Sequence, residues 1–319
     1  MNKGVSIIIP CYNKEKTIEM TVNSILNQSL IKNKGTNFVE IICIDDCSTD
    51  GTKKKLQKLS AAHYNIKTIF NPKNAGVFAS RLNGIKASTR EYVSFIDPDD
   101  YVDETYYEEL YKAAKKSGAD ITQTPSVIKE FGNNRSIPAG YYMNMPEGTF
   151  KISPENFTRL IRGNWLTLWN RMFKREPMMT IAYYPPYYIN FLEDVLIYLS
   201  VFVSSSKLCN VHTKGFYHYN LSMDVDHLSR KTGNEQRSVP TSMIFQLLNS
   251  YLLESKNMAY YDCIVKFRSV YISHFCKEYG KCFECWKNKE CFGSCDEYYN
   301  QREAEYIRKV YIELLKSNY

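Results

Sequence analysis

Three carboxylates stand within four residues at Asp97-Pro98-Asp99-Asp100, directly behind the apolar run Tyr92-Val-Ser-Phe-Ile96. Charge at the end of a buried strand is costly unless something positive neutralises it, and a divalent cation is the obvious candidate. Pro98 cannot continue a ladder and biases Asp97 towards an extended backbone, so the acids belong on a tight turn past the strand's carboxyl end. Two further acid pairs border apolar runs: Asp45-Asp46 follows Phe38–Ile44, and Glu193-Asp194 opens a run reaching Ser204. Carboxylates at a helix start have a purely electrostatic reason to be there, as turn acids do at a strand end. The first turn, Pro10-Cys-Tyr12-Asn13, offers an aromatic ring and amide groups suited to a flat base.

The elements that must position these residues alternate. Val5–Ile9, Phe38–Ile44, Ile66–Phe70 and Tyr92–Ile96 read as strands. Helices are expected from Thr17, as a cap, through Gln28, up to Ala62, and over Val77–Ala87. Strand and helix alternating three times, with polar residues after each strand, predict an α/β doubly wound, mostly parallel sheet that binds ligands at its carboxyl edge. Gly-x-Gly-x-x-Gly and the Walker phosphate loop are both missing, so a nucleotide whose phosphates are neutralised by a metal at Asp97–Asp100 is the simplest reading. Further on, Val102–Ser117 reads as a helix, Asp120–Val127 as a strand, Gly132–Phe150 as a long polar excursion, Pro154–Arg162 as a short helix and Val211–Tyr219 as a late strand.

Composition bounds the rest. The 319 residues, 44% hydrophobic and 24% charged, can bury a substantial core. No apolar run approaches the ~20 residues that span a bilayer, and Met-Asn-Lys-Gly leads straight into a strand, so the expected compartment is the cytoplasm. The net charge of +7 is modest but uneven. The stretch from Lys53 to Arg90 contains no acid, a block that can attract phosphates or an anionic membrane surface or simply form a solvated face. Nucleic acid is not expected, since no binding motif accompanies the charge. Cys11, Cys43, Cys47, Cys209 and Cys263 are expected to pack as small reduced hydrophobes. Cys276, Cys282, Cys285, Cys291 and Cys295 leave zinc, free thiols and adventitious disulfides all open.

Val5-Ser-Ile-Ile-Ile-Pro-Cys-Tyr-Asn13, Ile44-Asp-Asp-Cys-Ser-Thr-Asp-Gly51, Asn74-Ala-Gly-Val with Ala79-Ser-Arg-Leu-Asn-Gly84, and Phe95-Ile-Asp-Pro-Asp-Asp100 together resemble the family 2 glycosyltransferases. The likeness is strongest over residues 1–125. It implies an A-type glycosyltransferase fold, a Rossmann-like mixed and mostly parallel sheet flanked by helices. It also implies a nucleotide-sugar donor, commonly a UDP-sugar, a Mn²⁺ or Mg²⁺ ion, and transfer with inversion. The donor's base would lie beside Pro10 and Tyr12, with Asp46 accepting its hydrogen bond and Glu15 and Arg81 shaping the pocket. Asp97, Asp99 and Asp100 would act as one unit on ribose and metal. Glu193-Asp194 resembles the catalytic-base element, with Asp194 taking the acceptor's proton and Glu193 orienting the helix or the acceptor. His218 or His227, near a Tyr-x-Tyr and its loop, could add a metal ligand. Pro98 replaces a small residue of many relatives, and Cys47 a common glycine.

The resemblance divides the chain into a glycosyltransferase domain, 1–230, with a donor half at 1–125 and an acceptor half at 126–230. A C-terminal helical region follows at 231–319. Gly163–Lys174 resembles the segment leading to an acceptor site, where Trp165 and Trp169 could stack on a sugar or fill the core. The C-terminal helices could rest on the inner membrane surface, where lipid-linked acceptors reside, or serve packing and homodimerisation. The expected product is a cell-surface polysaccharide. The alternatives are a sugar-phosphate nucleotidyltransferase and a catalytically silent sugar-nucleotide or glycan-binding protein.

Overall fold

The computed structural model describes residues 2–131, 136–138, 145–161, 166–185, 189, 192–221, 235–255 and 257–267. Its first half runs β1 (Asn2–Cys11), α1 (Ile18–Leu26), α2 (Ser29–Lys34), β2 (Val39–Asp45), α3 (Thr52–Ala62), β3 (Ile66–Phe70), α4 (Gly76–Ala87) and β4 (Arg90–Phe95). Then come β5 (Tyr101–Val102), α5 (Tyr106–Ser117), β6 (Ile121–Gln123), β7 (Val127–Glu130), β8 (Ser136–Pro138), β9 (Gly148–Lys151) and α6 (Pro154–Ile161). The remainder is β10 (Arg171–Lys174), α7 (Arg175–Met179), α8 (Glu193–Val203), β11 (Lys207–Asn210), β12 (Tyr217–Asn220) and α9 (Glu235–Glu254).

One sheet has the order β3-β2-β1-β4-β10-β6-β11-β9. The pairings β1/β2, β2/β3, β1/β4 and β6/β11 are parallel, while β10 runs antiparallel between β4 and β6. The chain steps outward from β1 through β2 to β3, then returns to place β4 on the other side of β1. That reversal is a topological switch point, and the acid turn Asp97–Asp100 follows β4 there. A smaller sheet, β5-β12-β7-β8, stands beside it.

Both faces of the large sheet are covered, which is why its strands are continuous apolar runs. Val5, Ile7, Ile9, Ile41 and Cys43 pack with Val22 and Ile25 of α1 and Leu110 of α5. Ile8, Ile42, Ile44 and Phe95 face Phe78, Leu82 and Ile85 of α4, and that core continues through Leu196, Leu199 and Phe202 of α8. Gly84 lets α4 approach closely: a Cβ there would lie 2.4 Å from Ile8 Cγ2 and 2.9 Å from Ile44 Cδ1. Ile244, Phe245, Leu248 and Leu252 of α9 enter the same core, so the described part of the C-terminal helical region is packed into the transferase unit.

Several expectations shift. Asp120–Val127 is two strands, β6 and β7, on different sheets, with Pro125 at the break where a ladder donor is missing. The predicted helix from Val102 begins at Tyr106, because Tyr101–Val102 pairs with β12. Gly163–Lys174 contributes β10 to the middle of the sheet, and its four residues are too few to show an alternation. Thr17 does not cap α1 through its side chain; its hydroxyl instead donates to the Pro98 carbonyl, 2.8 Å away. Cys47 is exposed, whereas Cys11, Cys43 and Cys209 are buried as expected. Trp165, His227, the Cys276–Cys295 cluster and the C-terminal helical region beyond residue 267 lie outside the described residues.

Candidate active site

The acid turn is held from four sides. The Asp97 carbonyl accepts from Asp100 N at 3.1 Å, closing the turn. Two hydroxyls of the α1 segment fix its backbone, Thr17 Oγ1 on Pro98 O and Thr21 Oγ1 on Asp100 O at 2.7 Å. From β12, Tyr217 Oη donates to Asp100 Oδ2 at 2.5 Å and also accepts from Asp97 N at 3.3 Å. Asn220 N donates to Asp100 Oδ1 at 2.8 Å. Lys14 Nζ, just past β1, reaches Asp99 Oδ2 at 2.6 Å.

The three acids therefore have different partners within the protein. Asp100 is fully buried, and both its oxygens are committed to β12. Burial, with the charges of Asp99 and Asp97, drives its carboxyl well above the ordinary range. Asp97 stays partly exposed and pairs with Arg81 Nη2 at 3.2 Å. Burial also raises the Asp97 carboxyl; the Arg81 charge opposes this and the Asp99 charge adds to it.

Arg81 joins the two halves of the site. It projects from α4, is 5% exposed, and ion-pairs with Glu193 at the start of α8 through Nη1 as well as with Asp97. Its Nε is buried without a hydrogen-bond partner. Asp194 follows Glu193 in the first turn of α8, where its Oδ1 accepts from Val195 N at 2.8 Å. Burial first, and then the Glu193 charge, push the Asp194 carboxyl up to about 7, with Arg81 pulling against them. Leu192, immediately before the pair, has a φ of 61°, a left-handed conformation that a branched side chain adopts only under constraint from its surroundings.

At the base end, both oxygens of Asp46 are engaged by donors of the protein itself. Asp46 Oδ1 accepts from Asn71 Nδ2 at 2.7 Å and Ala75 N at 2.9 Å, and its Oδ2 from Gly76 N at 2.8 Å. It thus clamps the start of α4 to the end of β2, a natural place for a carboxylate. The open acceptor at this strand end is Asp45 Oδ1, buried and without a partner. Pro10 is in register with Ile44 inside the ladder, while Tyr12 is 45% exposed beside it. Glu15 Oε2 accepts from Gly51 N at 3.0 Å, so it ties the two loops that border Tyr12.

His218, an expected metal-ligand candidate, is held by neighbours of its own. It stacks on Tyr101 at 4.3 Å, and its two ring nitrogens contact Glu130 Oε1 at 2.8 Å and Asp103 Oδ1 at 2.9 Å. Trp169 is buried and stacked on Tyr217 at 4.6 Å, which makes it a core ring under the acid turn. Among the described residues no three His, Cys, Asp or Glu side chains gather into a metal cluster. Asp97 and Asp99 still fit Mn²⁺ or Mg²⁺, since they supply hard carboxylate oxygens whose mutual repulsion a divalent charge would relieve. Such ions complete their shell with phosphate oxygens and water.

A mostly parallel sheet with carboxylates gathered at its switch point defines an α/β protein whose carboxyl edge is the place for a ligand. The chain matches Glycosyl transferase family 2 over residues 6–179, more than half its length, and belongs to that family. It is 31% identical over 215 residues to a cholesterol galactosyltransferase of Borreliella burgdorferi, covering 65% of this chain and 58% of that protein. A poly(ribitol-phosphate) beta-glucosyltransferase of Bacillus spizizenii is 27% identical over 227 residues, covering 70% of this chain and 33% of the relative. The crystal structure of S. aureus TarS 1–349 in complex with UDP-GlcNAc superposes with a TM-score of 0.62 at 20% identity, over 78% of this chain and 66% of TarS. The fold is therefore the A-type glycosyltransferase fold.

Lys14 and Tyr217 are candidate site residues that the sequence did not single out, and Asp45 stood out there only as the partner of Asp46. Lys14 adjoins the first motif and Asp45 stands inside the second, so their signals were present but shared with better-placed neighbours.

Proposed function

We propose that this glycosyltransferase moves a sugar, with inversion, from a nucleotide diphosphate donor to a hydroxyl of a glycan or lipid-linked acceptor in cell-surface polysaccharide synthesis. The observation that carries the reading is Arg81, which holds the strand-end acid Asp97 and the helix-start acid Glu193, next in the chain to Asp194, around one buried guanidinium. These acids lie 96 residues apart in sequence, and inversion needs a base opposite the leaving group in one pocket. A UDP-sugar suits the donor end, where Tyr12 offers a ring face and Asp45 Oδ1 an acceptor for a base N–H. The related TarS structures include complexes with UDP and UDP-GlcNAc.

Asp194, with a carboxyl near 7, takes the proton of the acceptor hydroxyl as its oxygen forms the new bond to the anomeric carbon. The bond between that carbon and the β-phosphate oxygen breaks, and the nucleoside diphosphate leaves with the electron pair. The buried Arg81 Nε is an open donor for the charge that develops. Asp97 and Asp99 would hold the Mn²⁺ or Mg²⁺ ion, which when bound supplies Lewis-acid neutralisation of the diphosphate.

Transfer from a panel of UDP-sugars tests the reading. Asp194→Asn should keep donor affinity in calorimetry and lose ~10²–10⁴-fold in kcat. Undiminished turnover would remove Asp194 from the mechanism, and equal nucleotide affinity with and without Mn²⁺ would remove the metal.

A further inference from the structure

Residues 51–90 hold nine lysines and arginines and no aspartate or glutamate. The fold uses some of these charges. Arg81 enters the active site, Lys55 pairs with Glu19 at 2.6 Å and Lys67 with Glu40 at 2.5 Å. Lys53 lies over the Phe70 ring, 5.2 Å from its centroid. Lys54, Lys58 and Lys73 are exposed, and none has an ion pair among the described residues.

On α3 the buried and the lysine-bearing positions are separate. Thr52 and Leu56 are buried, while Lys53, Lys54, Gln57 and Lys58 face outward, and Tyr64 beyond the helix is 72% exposed. This arrangement costs stability in isolation. Lys54 and Lys58 are like charges one turn apart, and Lys53, Lys54 and Lys55 oppose the helix dipole in a first turn that carries no acid. A face shaped only by solubility mixes both signs.

We propose that the outer face of α3, with Tyr64 and Lys73 at its borders, is a docking surface for an anionic lipid bilayer. Lys53, Lys54 and Lys58 stand within ~7.5 Å of helix axis, with Lys73 beyond the helix, and such a set of exposed cations on one face matches a sheet of headgroups. Tyr64 adds an amphipathic ring of the kind that sits at headgroup depth. The face adjoins the active site: Lys14 N donates to Thr52 Oγ1 at 2.7 Å, and Glu15 N to Asp50 Oδ2 at 3.1 Å. A bilayer lying on α3 therefore meets the protein beside the loops that carry Tyr12 and Lys14. The inference does not depend on the proposed reaction, because docking needs no chemistry at Asp194.

Sedimentation of the full chain with vesicles tests it. Wild type should pellet with vesicles containing phosphatidylglycerol but not with phosphatidylcholine alone, and high salt should release it. Lys53→Glu/Lys54→Glu/Lys58→Glu should lower the partition coefficient about a hundredfold or more. The same variant should retain the wild-type circular dichroism spectrum, and the milder Lys54→Gln/Lys58→Gln pair should fall between. Binding that ignores phosphatidylglycerol, or a triple variant that pellets like wild type, overturns the proposal. Lysine-dependent binding of soluble polyphosphate without any vesicle binding overturns it too, and assigns the face to a soluble polyanion.

Discussion

Arg81 is where the residue-scale logic concentrates, because one buried cation answers carboxylates from both halves of the site. Its charge also counts against the rise of the Asp194 carboxyl, which burial and Glu193 push up to about 7. A base must be ionised, so kcat/KM should climb with pH and level off above about 7. The stability sign is opposite: a carboxyl whose folded value is raised holds its proton better when folded, so its contribution declines as pH rises from the ordinary carboxylate range towards 7. Arg81→Met should move the acidic limb of the rate profile to higher pH, since the opposing charge is gone. It should also cost ~3–5 kcal/mol of stability by leaving buried acids uncompensated. Titrating the rate of both proteins checks this; an unmoved limb would mean that Arg81 does not act on Asp194. The acids at 97, 193 and 194 were legible as motifs, but their common dependence on Arg81 was not, because nothing in local sequence states which distant charges face each other.

At the scale of elements, β12 matters more than its four residues suggest. It carries Tyr217 and Asn220 to Asp100, and so makes the deepest acid of the motif a structural anchor for the other two. Tyr217→Phe keeps the ring stacked on Trp169 and removes only the hydroxyl. The expected loss is ~1.5–3 kcal/mol in denaturation, as for a hydrogen bond to a charged group. Donor affinity should fall with it, because Asp97 N also donates to that hydroxyl. A variant with wild-type donor affinity in calorimetry would show that the turn keeps its shape without β12. The strands of the first half were readable because each is a continuous apolar run. By contrast, β10, β11 and β12 have four residues each, and their partners are fixed by tertiary pairing that no period reveals.

For the whole molecule, the question is whether the C-terminal helices are an appendage or part of the transferase core. Sequence periodicity predicts helices but is silent on what their apolar faces cover, so a boundary at residue 230 was the natural expectation. The described contacts favour one unit. Leu248 and Phe245 are buried with α8, and Tyr251 Oη donates to Thr180 Oγ1 at 2.8 Å, joining α9 to the segment after α7. Since α8 begins with Glu193-Asp194, α9 braces the helix that presents the proposed base. Leu248→Ala should therefore cost ~2–5 kcal/mol, the range for truncating a buried leucine. That loss should displace the main unfolding transition followed by tryptophan fluorescence, to which Trp169 beneath the acid turn contributes. An independent appendage would instead give a separate, earlier transition and leave the Trp169 signal in place. A single transition shifted to lower denaturant, with turnover lost in parallel, is the outcome the shared core requires.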